Sequence, residues 1–276
     1  MKDLAQKLAV ITGAASGVGE ALARALHAEA MDLVLIDANA AKLKSVTDEL
    51  DVQSVVADVS DADRMQAVAA EIFSQHANVH LLINNAGIMP AMGPIWELPD
   101  TEVKRVLDVN VRGVVNGLRS FVPKLIAQTD PAHIVSTASE ASFASRGFVC
   151  GYHASKHAVL AITEGLAQEL DFLGARIRVS VLCPSAVDTA LMQDDVALSS
   201  TSGERLWKVY VKSLERGLPA EEVARTVVFG IKEERFYLLP HTEVINLPSE
   251  RAQAVLNDEY PKFADNLAGL IRQDRK

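Results

Sequence analysis

With only two cysteines in 276 residues, Cys150 and Cys183, the chain cannot build a disulfide framework. Neither neighbourhood carries the C-x-x-C spacing of a zinc site or a redox pair. Both read as free thiols of a reducing compartment, so the fold must be held by its core. No apolar run approaches the roughly 18 residues that a membrane-spanning helix needs. The amino-terminal stretch MKDLAQKLAVITGAASG runs from a charged start into a strand and then glycines, without the apolar core and cleavage site of a signal peptide. A cytoplasmic protein with no membrane partner is expected. Basic clusters are missing too. The 27 Lys and Arg against 36 Asp and Glu leave a net charge of -9, which repels phosphate backbones and argues against nucleic acid as a partner. There is no internal repeat, low-complexity tract or Pro/Gly/Ser-rich linker, so a single domain over residues 1–276 is expected. Aromatic residues are sparse at 5%, yet a hydrophobic content of 49% suffices to bury a large sheet.

What is present is an alternation. Apolar runs of strand length fall at Leu8–Thr12, Asp32–Asp37, Ser54–Asp58, His80–Asn84, His133–Ala138, Arg178–Leu182 and Phe236–Leu239. Segments of helical period separate several of them. In GVGEALARALHAEA, Val18, Leu22, Ala25 and Leu26 share one helix face, and similar helices fit Asp61–Gln75, Asp100–Ile126, Cys150–Leu173 and Ala220–Lys232. This pattern predicts an α/β fold, a doubly wound sheet of about seven parallel strands with helices on both faces. Residues 185–218 break the alternation and read as a substrate loop or lid, while the tail 249–276 reads as helical.

The stretch Thr12-Gly13-Ala14-Ala15-Ser16-Gly17-Val18-Gly19 lies between the first strand and the first helix. Glycine there lets backbone approach a ligand closely, and the N–H groups opening the helix carry partial positive charge suited to phosphate. The spacing is GxxxGxG rather than GxGxxG, and alone it reads equally as a tight βα turn. Asp37 ends the second strand 18 residues after Gly19. A carboxylate at that point can accept hydrogen bonds from a ribose 2′-hydroxyl and would repel a 2′-phosphate. With Ala38 beside it and no Lys or Arg in the turn, NAD is favoured over NADP. By itself Asp37 could also be a solvated strand-end residue.

Three more motifs follow in order: Asn84-Asn85-Ala86-Gly87 after the fourth strand, Ser139 after the fifth, and Tyr152-His153-Ala154-Ser155-Lys156 opening the next helix. Together with TGxxxGxG, this set resembles the single-domain branch of the short-chain dehydrogenase/reductase family over roughly residues 5–240. The resemblance implies a Rossmann-type domain, usually a homodimer or homotetramer, that transfers hydride between a nicotinamide and the carbon of an alcohol or ketone. Carried onto this chain, it makes Tyr152 the proton-transferring group and Ser139 the holder of the substrate oxygen. Asn110 becomes the residue that positions a water linking Lys156 to solvent, unless it is a polar residue satisfied within a helix kink. For the cofactor it implies Gly13, Ser16, Gly17, Val18 and Gly19 at the phosphates, with Asp37 at the ribose. Asp58 and Val59 would meet the adenine, and Asn85, Ala86 and Gly87 the adenosine side. Tyr152 and Lys156 face the cofactor as well, and Pro184, Val187 and Thr189 lie on the nicotinamide side. The chain departs from the family in two places: Pro184-Ser185 stands where Pro-Gly is usual, and His241-Thr242 where Asp-Gly is usual.

The chemistry also follows from the residues. Tyr152 and Lys156 are four apart on one helix face, so the ammonium can stabilise a phenolate, whose pKa near ~10 is otherwise too high for a base at neutral pH. Ser136 and Thr137 compete with Ser139 at the same strand end. His153 and His157 have a spacing that could hold a metal, but no third ligand is evident, and no metal is expected. Met89, Met92 and Trp96 could line a substrate pocket or pack in the core or an interface. Phe143, Phe148 and Val149 should border the reacting carbon, which favours an apolar cyclic or aromatic alcohol over a sugar. An NAD-dependent dehydrogenase leads. Its rivals are an NADPH-dependent ketone reductase, a non-catalytic dinucleotide sensor, and an extended-branch epimerase, for which the chain ends too soon after the sheet.

Overall fold

The computed structural model of the chain describes residues 1–89, 91–189, 207 and 217–262. Its main sheet has seven strands, all parallel. They are β1 (Leu8–Thr12), β2 (Asp32–Asp37), β3 (Gln53–Val56), β4 (Leu81–Asn84), β5 (Ala132–Thr137), β6 (Ile177–Leu182) and β9 (Tyr237–Leu238), in the order β3-β2-β1-β4-β5-β6-β9. The chain winds outward from β1 to β3, then crosses back to β4 and winds the other way. That reversal opens a crevice beyond the carboxyl ends of β1 and β4, where ligands bind in open α/β sheets. The glycine turn leaves β1 and Asn85-Ala86-Gly87 leaves β4, so both motifs meet there.

Strand alternation sends successive side chains to opposite faces, and each face has its own core. On one face Val10, Val34, Leu82, Ile134 and Val181 pack beneath α3 (Ala62–Gln75), α5 (Gly113–Ala127) and α6 (Cys150–Phe172), which contribute Ile72, Phe121 and Val159. On the other, Ile11, Leu33, Leu35, Ile83 and Val135 pack with Leu22, Leu26, Leu43 and Val227. These come from α1 (Gly17–Ala28), α2 (Ala40–Leu50) and α7 (Ala220–Lys232). Burying each such Leu, Ile or Phe side chain is worth about 1.5–3 kcal/mol, so the two faces supply the stability that no disulfide provides. Among the described residues, no helix is long and apolar enough to cross a membrane.

Four features differ from the sequence expectation. Helix α2 was not anticipated, although Leu43, Val46, Thr47 and Leu50 stand at helical spacing and the first three are buried. Its start is capped by Asn39, whose side chain accepts from the Lys42 N–H at 3.0 Å. The single helix expected over Asp100–Ile126 is interrupted: α4 (Asp100–Leu107) passes into a π-helical turn, Asp108–Arg112, before α5. A two-residue strand β7 (Val187–Asp188) pairs in parallel with β8 (Leu218–Pro219) and closes the base of the expected substrate loop. The terminal helix α8 covers Leu247–Leu256 only, and Asp258 already has the left-handed φ of 52°. The rest of the substrate loop, 190–206 and 208–216, and the tail 263–276 lie outside the described residues.

Candidate active site

The glycine turn needs its glycines for reasons visible in the backbone. Gly13 and Gly17 have φ of 64° and 56°, a left-handed conformation disfavoured for residues with a Cβ. Gly19 is required by closeness: a Cβ there would stand 2.0 Å from the Gly13 carbonyl oxygen. Ser16, at the N-cap of α1, makes no side-chain capping bond, so its hydroxyl leaves the first N–H groups of the helix uncapped. Thr12 anchors the turn to β4: its hydroxyl accepts from the N–H groups of Asn85 (2.9 Å) and Ala86 (3.1 Å). Asn85 returns the tie through Nδ2, which donates to the Thr12 and Gly13 carbonyls, while its Oδ1 accepts from the Thr137 hydroxyl.

Asp37 sits at the end of β2 with Oδ2 accepting from the Ala15 N–H (3.0 Å) and Oδ1 from the Asn39 N–H (2.8 Å). The carboxylate is thus fixed against the turn, not merely solvated. Asp58 is exposed, and its Oδ1 accepts from both the N–H and the hydroxyl of Ser60 at 2.8 Å. Val59 is buried against α5, where a Cβ on Gly113 would come within 2.6 Å of its side chain. Anything Val59 offers a nucleotide base must therefore come from its backbone.

Beyond the carboxyl ends of β4 and β5 lies the second cluster. Lys156 is 4% exposed, and its Nζ donates to the Thr137 carbonyl at 2.9 Å and lies 5.7 Å from the centre of the Tyr152 ring. Burial pushes its pKa down from 10.5 to about 8. Asn110 is fully buried in the π-helical turn. Its Oδ1 accepts from the Ile88 N–H (2.8 Å), and its Nδ2 donates to the Ile88 carbonyl (3.0 Å) and the Ser155 hydroxyl (3.1 Å). Gly87 lies between these two groups: a Cβ there would meet Lys156 Nζ at 3.3 Å and Asn110 Oδ1 at 3.4 Å, so a side chain at this position would crowd both. Ser139 begins a short 3-10 turn, its Oγ accepting from the Ala141 N–H (3.2 Å) and donating to the Pro184 carbonyl (3.3 Å). Ser142 ties that turn to the helix by donating to the Lys156 carbonyl at 2.7 Å. Cys183 is buried, and burial pushes its pKa up to about 12, so it is a neutral thiol beside the lysine.

Of the competing strand-end hydroxyls, Ser136 is wholly buried with no partner among the described residues, and Thr137 is committed to Asn85. Met89, Met92, Phe143 and Val149 are buried, whereas Trp96 is 82% exposed among the described residues. The loop carrying Met92 is pinned to the one carrying Phe148 by a Gly93 N–H to Phe148 carbonyl bond of 2.9 Å, at a point where Phe148 has φ of 68°. His153 Nδ1 bonds to the Ala144 carbonyl and His157 Nδ1 to the His153 carbonyl. No group of three metal-ligating side chains occurs among the described residues.

Residues 7–198 match the short chain dehydrogenase family. The chain belongs to this family of oxidoreductases. A 1-deoxy-11-beta-hydroxypentalenate dehydrogenase from Streptomyces avermitilis is 34% identical over 94% of this chain and 91% of its own length. A C alpha-dehydrogenase from Sphingobium is 28% identical over 96% and 90%. Among solved structures, a short chain dehydrogenase/reductase from Burkholderia phymatum in complex with NAD superimposes with a TM-score of 0.91 at 34% identity, covering 96% of this chain and 99% of the other.

Within this short chain dehydrogenase, the sequence alone had missed four contributors: Thr12, Ser142, Cys183 and His241. Thr12 had a signal, since it immediately precedes the first glycine. His241 had one too, as half of a departure from the family pattern, but its partner could not be read from spacing. It is buried, Nδ1 accepts from the Ser185 N–H (3.2 Å) and Nε2 bonds to the Ala186 carbonyl (2.9 Å). The two departures, Pro184-Ser185 and His241-Thr242, are therefore in contact.

Proposed function

We propose that this chain is an NAD-dependent oxidoreductase that transfers hydride between the nicotinamide and a secondary alcohol or ketone, with an apolar cyclic or aromatic compound as substrate. The carrying observation is the buried Lys156 ammonium, held by the Thr137 carbonyl beneath the Tyr152 ring, with Asn110 on the other side of Gly87. A cation kept in a buried site without a carboxylate partner is costly, and its use is to oppose negative charge on a neighbouring phenolate.

The crevice fits the dinucleotide. Gly13, Ser16, Gly17, Val18 and Gly19 would surround the pyrophosphate at the N-terminus of α1, and Asp37 would accept from the adenosine ribose. Asp58, Val59, Asn85, Ala86 and Gly87 would line the adenine and its ribose. Tyr152 and Lys156 would meet the nicotinamide ribose, and Pro184, Val187 and Thr189 the carboxamide. A Cβ on Gly17 would lie 3.1 Å from Thr189, so the two ends of this cradle adjoin. When bound, the nicotinamide supplies the hydride acceptor or donor. Tyr152 takes the hydroxyl proton during oxidation and returns it during reduction. The Lys156 charge favours the deprotonated form of that phenol, and Asn110 fixes the backbone beside the lysine. Ser139 holds the substrate oxygen, for which its hydroxyl must exchange the 3.3 Å bond to Pro184 for a shorter one.

The NAD complex of the Burkholderia phymatum relative and the fixed Asp37 carboxylate both support NAD. The hydroxypentalenate dehydrogenase supports a hydroxyl-bearing substrate, and the buried Phe143 and Val149 support an apolar one. The homodimer or homotetramer implied by the family is read by sedimentation velocity. The functional test is a panel of cyclic and aromatic secondary alcohols with NAD or NADP, followed by nicotinamide absorbance. NAD-coupled turnover that disappears in Tyr152→Phe supports the reading. Faster turnover with NADP, or with polyols, overturns its finer part.

A further inference from the structure

We infer that His241 is a positioning residue for the nicotinamide half of the cofactor site, acting as a two-point clamp on the Pro184–Val187 segment; this rests on the nucleotide reading above. The segment leaves β6 and runs to Val187 and Thr189, so its path decides where these two residues stand. Its usual glycine is replaced by Ser185, and the backbone freedom that a glycine gives is absent. Six hydrogen bonds hold it instead, one of them from the Leu218 N–H to the Ala186 carbonyl at 3.1 Å. The Pro184 carbonyl accepts from the Ser139 hydroxyl (3.3 Å) and from the Glu140 N–H (2.8 Å). The Ser185 hydroxyl donates to Glu140 Oε2 (3.1 Å), and Arg146 in turn pairs with Oε1 of that carboxylate at 3.4 Å.

The last two come from His241, buried to 6% exposure. Ser185 N–H can only donate, so Nδ1 is the accepting nitrogen and the proton lies on Nε2, which donates to the Ala186 carbonyl. A neutral imidazole thereby satisfies one donor and one acceptor on consecutive residues, joining the turn after β9 to the loop after β6. The same loop carries the acceptor of the Ser139 hydroxyl, so the clamp sets the nicotinamide side of the cradle relative to the catalytic serine. The adenosine side, built by Gly13–Gly19, Asp37 and Asn85, makes none of these bonds. The clamp should therefore act on one half of the cofactor only.

That asymmetry separates positioning from general stability. Binding of NAD and of ADP-ribose, which lacks the nicotinamide, is measured by calorimetry on the full chain and on His241→Leu, His241→Asn and His241→Gln. With both bonds gone, His241→Leu should bind NAD about tenfold more weakly, on the scale of one or two backbone hydrogen bonds, and ADP-ribose unchanged. His241→Asn offers an oxygen near the Nδ1 position and His241→Gln an amide N–H near Nε2, so each should recover part of the loss. Unchanged NAD affinity in His241→Leu overturns the clamp. Equal weakening of NAD and ADP-ribose overturns it too, because that is what general destabilisation gives. If the unaltered chain binds neither, the nucleotide reading itself falls, and the clamp with it.

Discussion

Lys156 shows how a functional side chain opposes stability. Its ammonium has lost nearly all hydration, its one hydrogen-bond acceptor among the described residues is neutral, and burial lowers its pKa to about 8 from 10.5. A lysine whose folded pKa lies below its unfolded one destabilises the fold fully below about 8, and the deficit fades as pH climbs toward the unfolded value. A shift of this size corresponds to about 3 kcal/mol. Lys156→Met removes that cost and leaves the Thr137 carbonyl unpaired, a loss of about 1–2 kcal/mol. The variant should be about 1–2 kcal/mol more stable than the original near neutral pH, while turnover falls at least about a hundredfold. Denaturant melts and steady-state rates measure both, and a variant less stable at neutral pH refutes the burial cost. Asp37 carries a second residue-level expectation. Asp37→Asn keeps an acceptor for the Ala15 N–H but removes the charge that repels a 2′-phosphate. Preference for NAD over NADP should narrow by about tenfold, the scale of one like-charge contact, and a kcat/KM ratio left unchanged would count against Asp37 as the discriminator.

At the scale of elements, the turn after β1 has little tolerance. In Gly19→Ala the new Cβ lies 2.0 Å from the Gly13 carbonyl oxygen, so backbone must move where phosphate would rest. Nucleotide affinity should fall at least about tenfold with the sheet intact by circular dichroism, and wild-type affinity would refute the closeness argument. This turn was legible because glycine spacing reports backbone constraints directly. The central strands were legible for a similar reason, since parallel strands buried on both faces are continuous apolar runs, whereas the edge strand β3 is largely exposed and was placed one to two residues late. Helix α2 was overlooked although its signals were present, an Asn39 cap followed by Leu43, Val46, Thr47 and Leu50 at helical spacing. The π-helical turn at Asp108–Arg112 was not legible, for a helical period does not reveal one extra residue in a turn. Asn110, Lys156 and Gly87 could each be named from motifs. That Gly87 lies between the other two depended on tertiary contact. His241 marks the limit, since sequence showed that the usual residues were absent but not that their replacements touch.

Across the whole molecule, the pH dependence of stability should be governed partly by a histidine far from the chemistry. His133 lies near the start of β5, at the opposite end of the strand from Ser139, and is 1% exposed. Its Nε2 bonds to the Ser180 hydroxyl at 2.7 Å, and that hydroxyl donates to the Arg235 carbonyl at 2.6 Å. The Ser180 proton is thus committed, so Nε2 of His133 carries the donated hydrogen and Nδ1 is bare, buried and without a partner among the described residues. Protonation would place an N–H where nothing accepts it, and burial accordingly lowers the pKa from 6.5 to about 4. The neutral form's contribution is fully present above 6.5 and is lost as pH falls toward 4, where the folded chain also takes the proton. Over that window stability should drop by up to about 3 kcal/mol from this group alone. His133→Gln keeps an N–H for Ser180 and does not titrate. Its stability should vary less steeply across the same window, while its activity at neutral pH matches the original because the bond it alters lies away from Tyr152, Lys156 and the crevice. Denaturant midpoints at several pH values compare the two proteins, and parallel slopes would show that acid sensitivity resides in other groups.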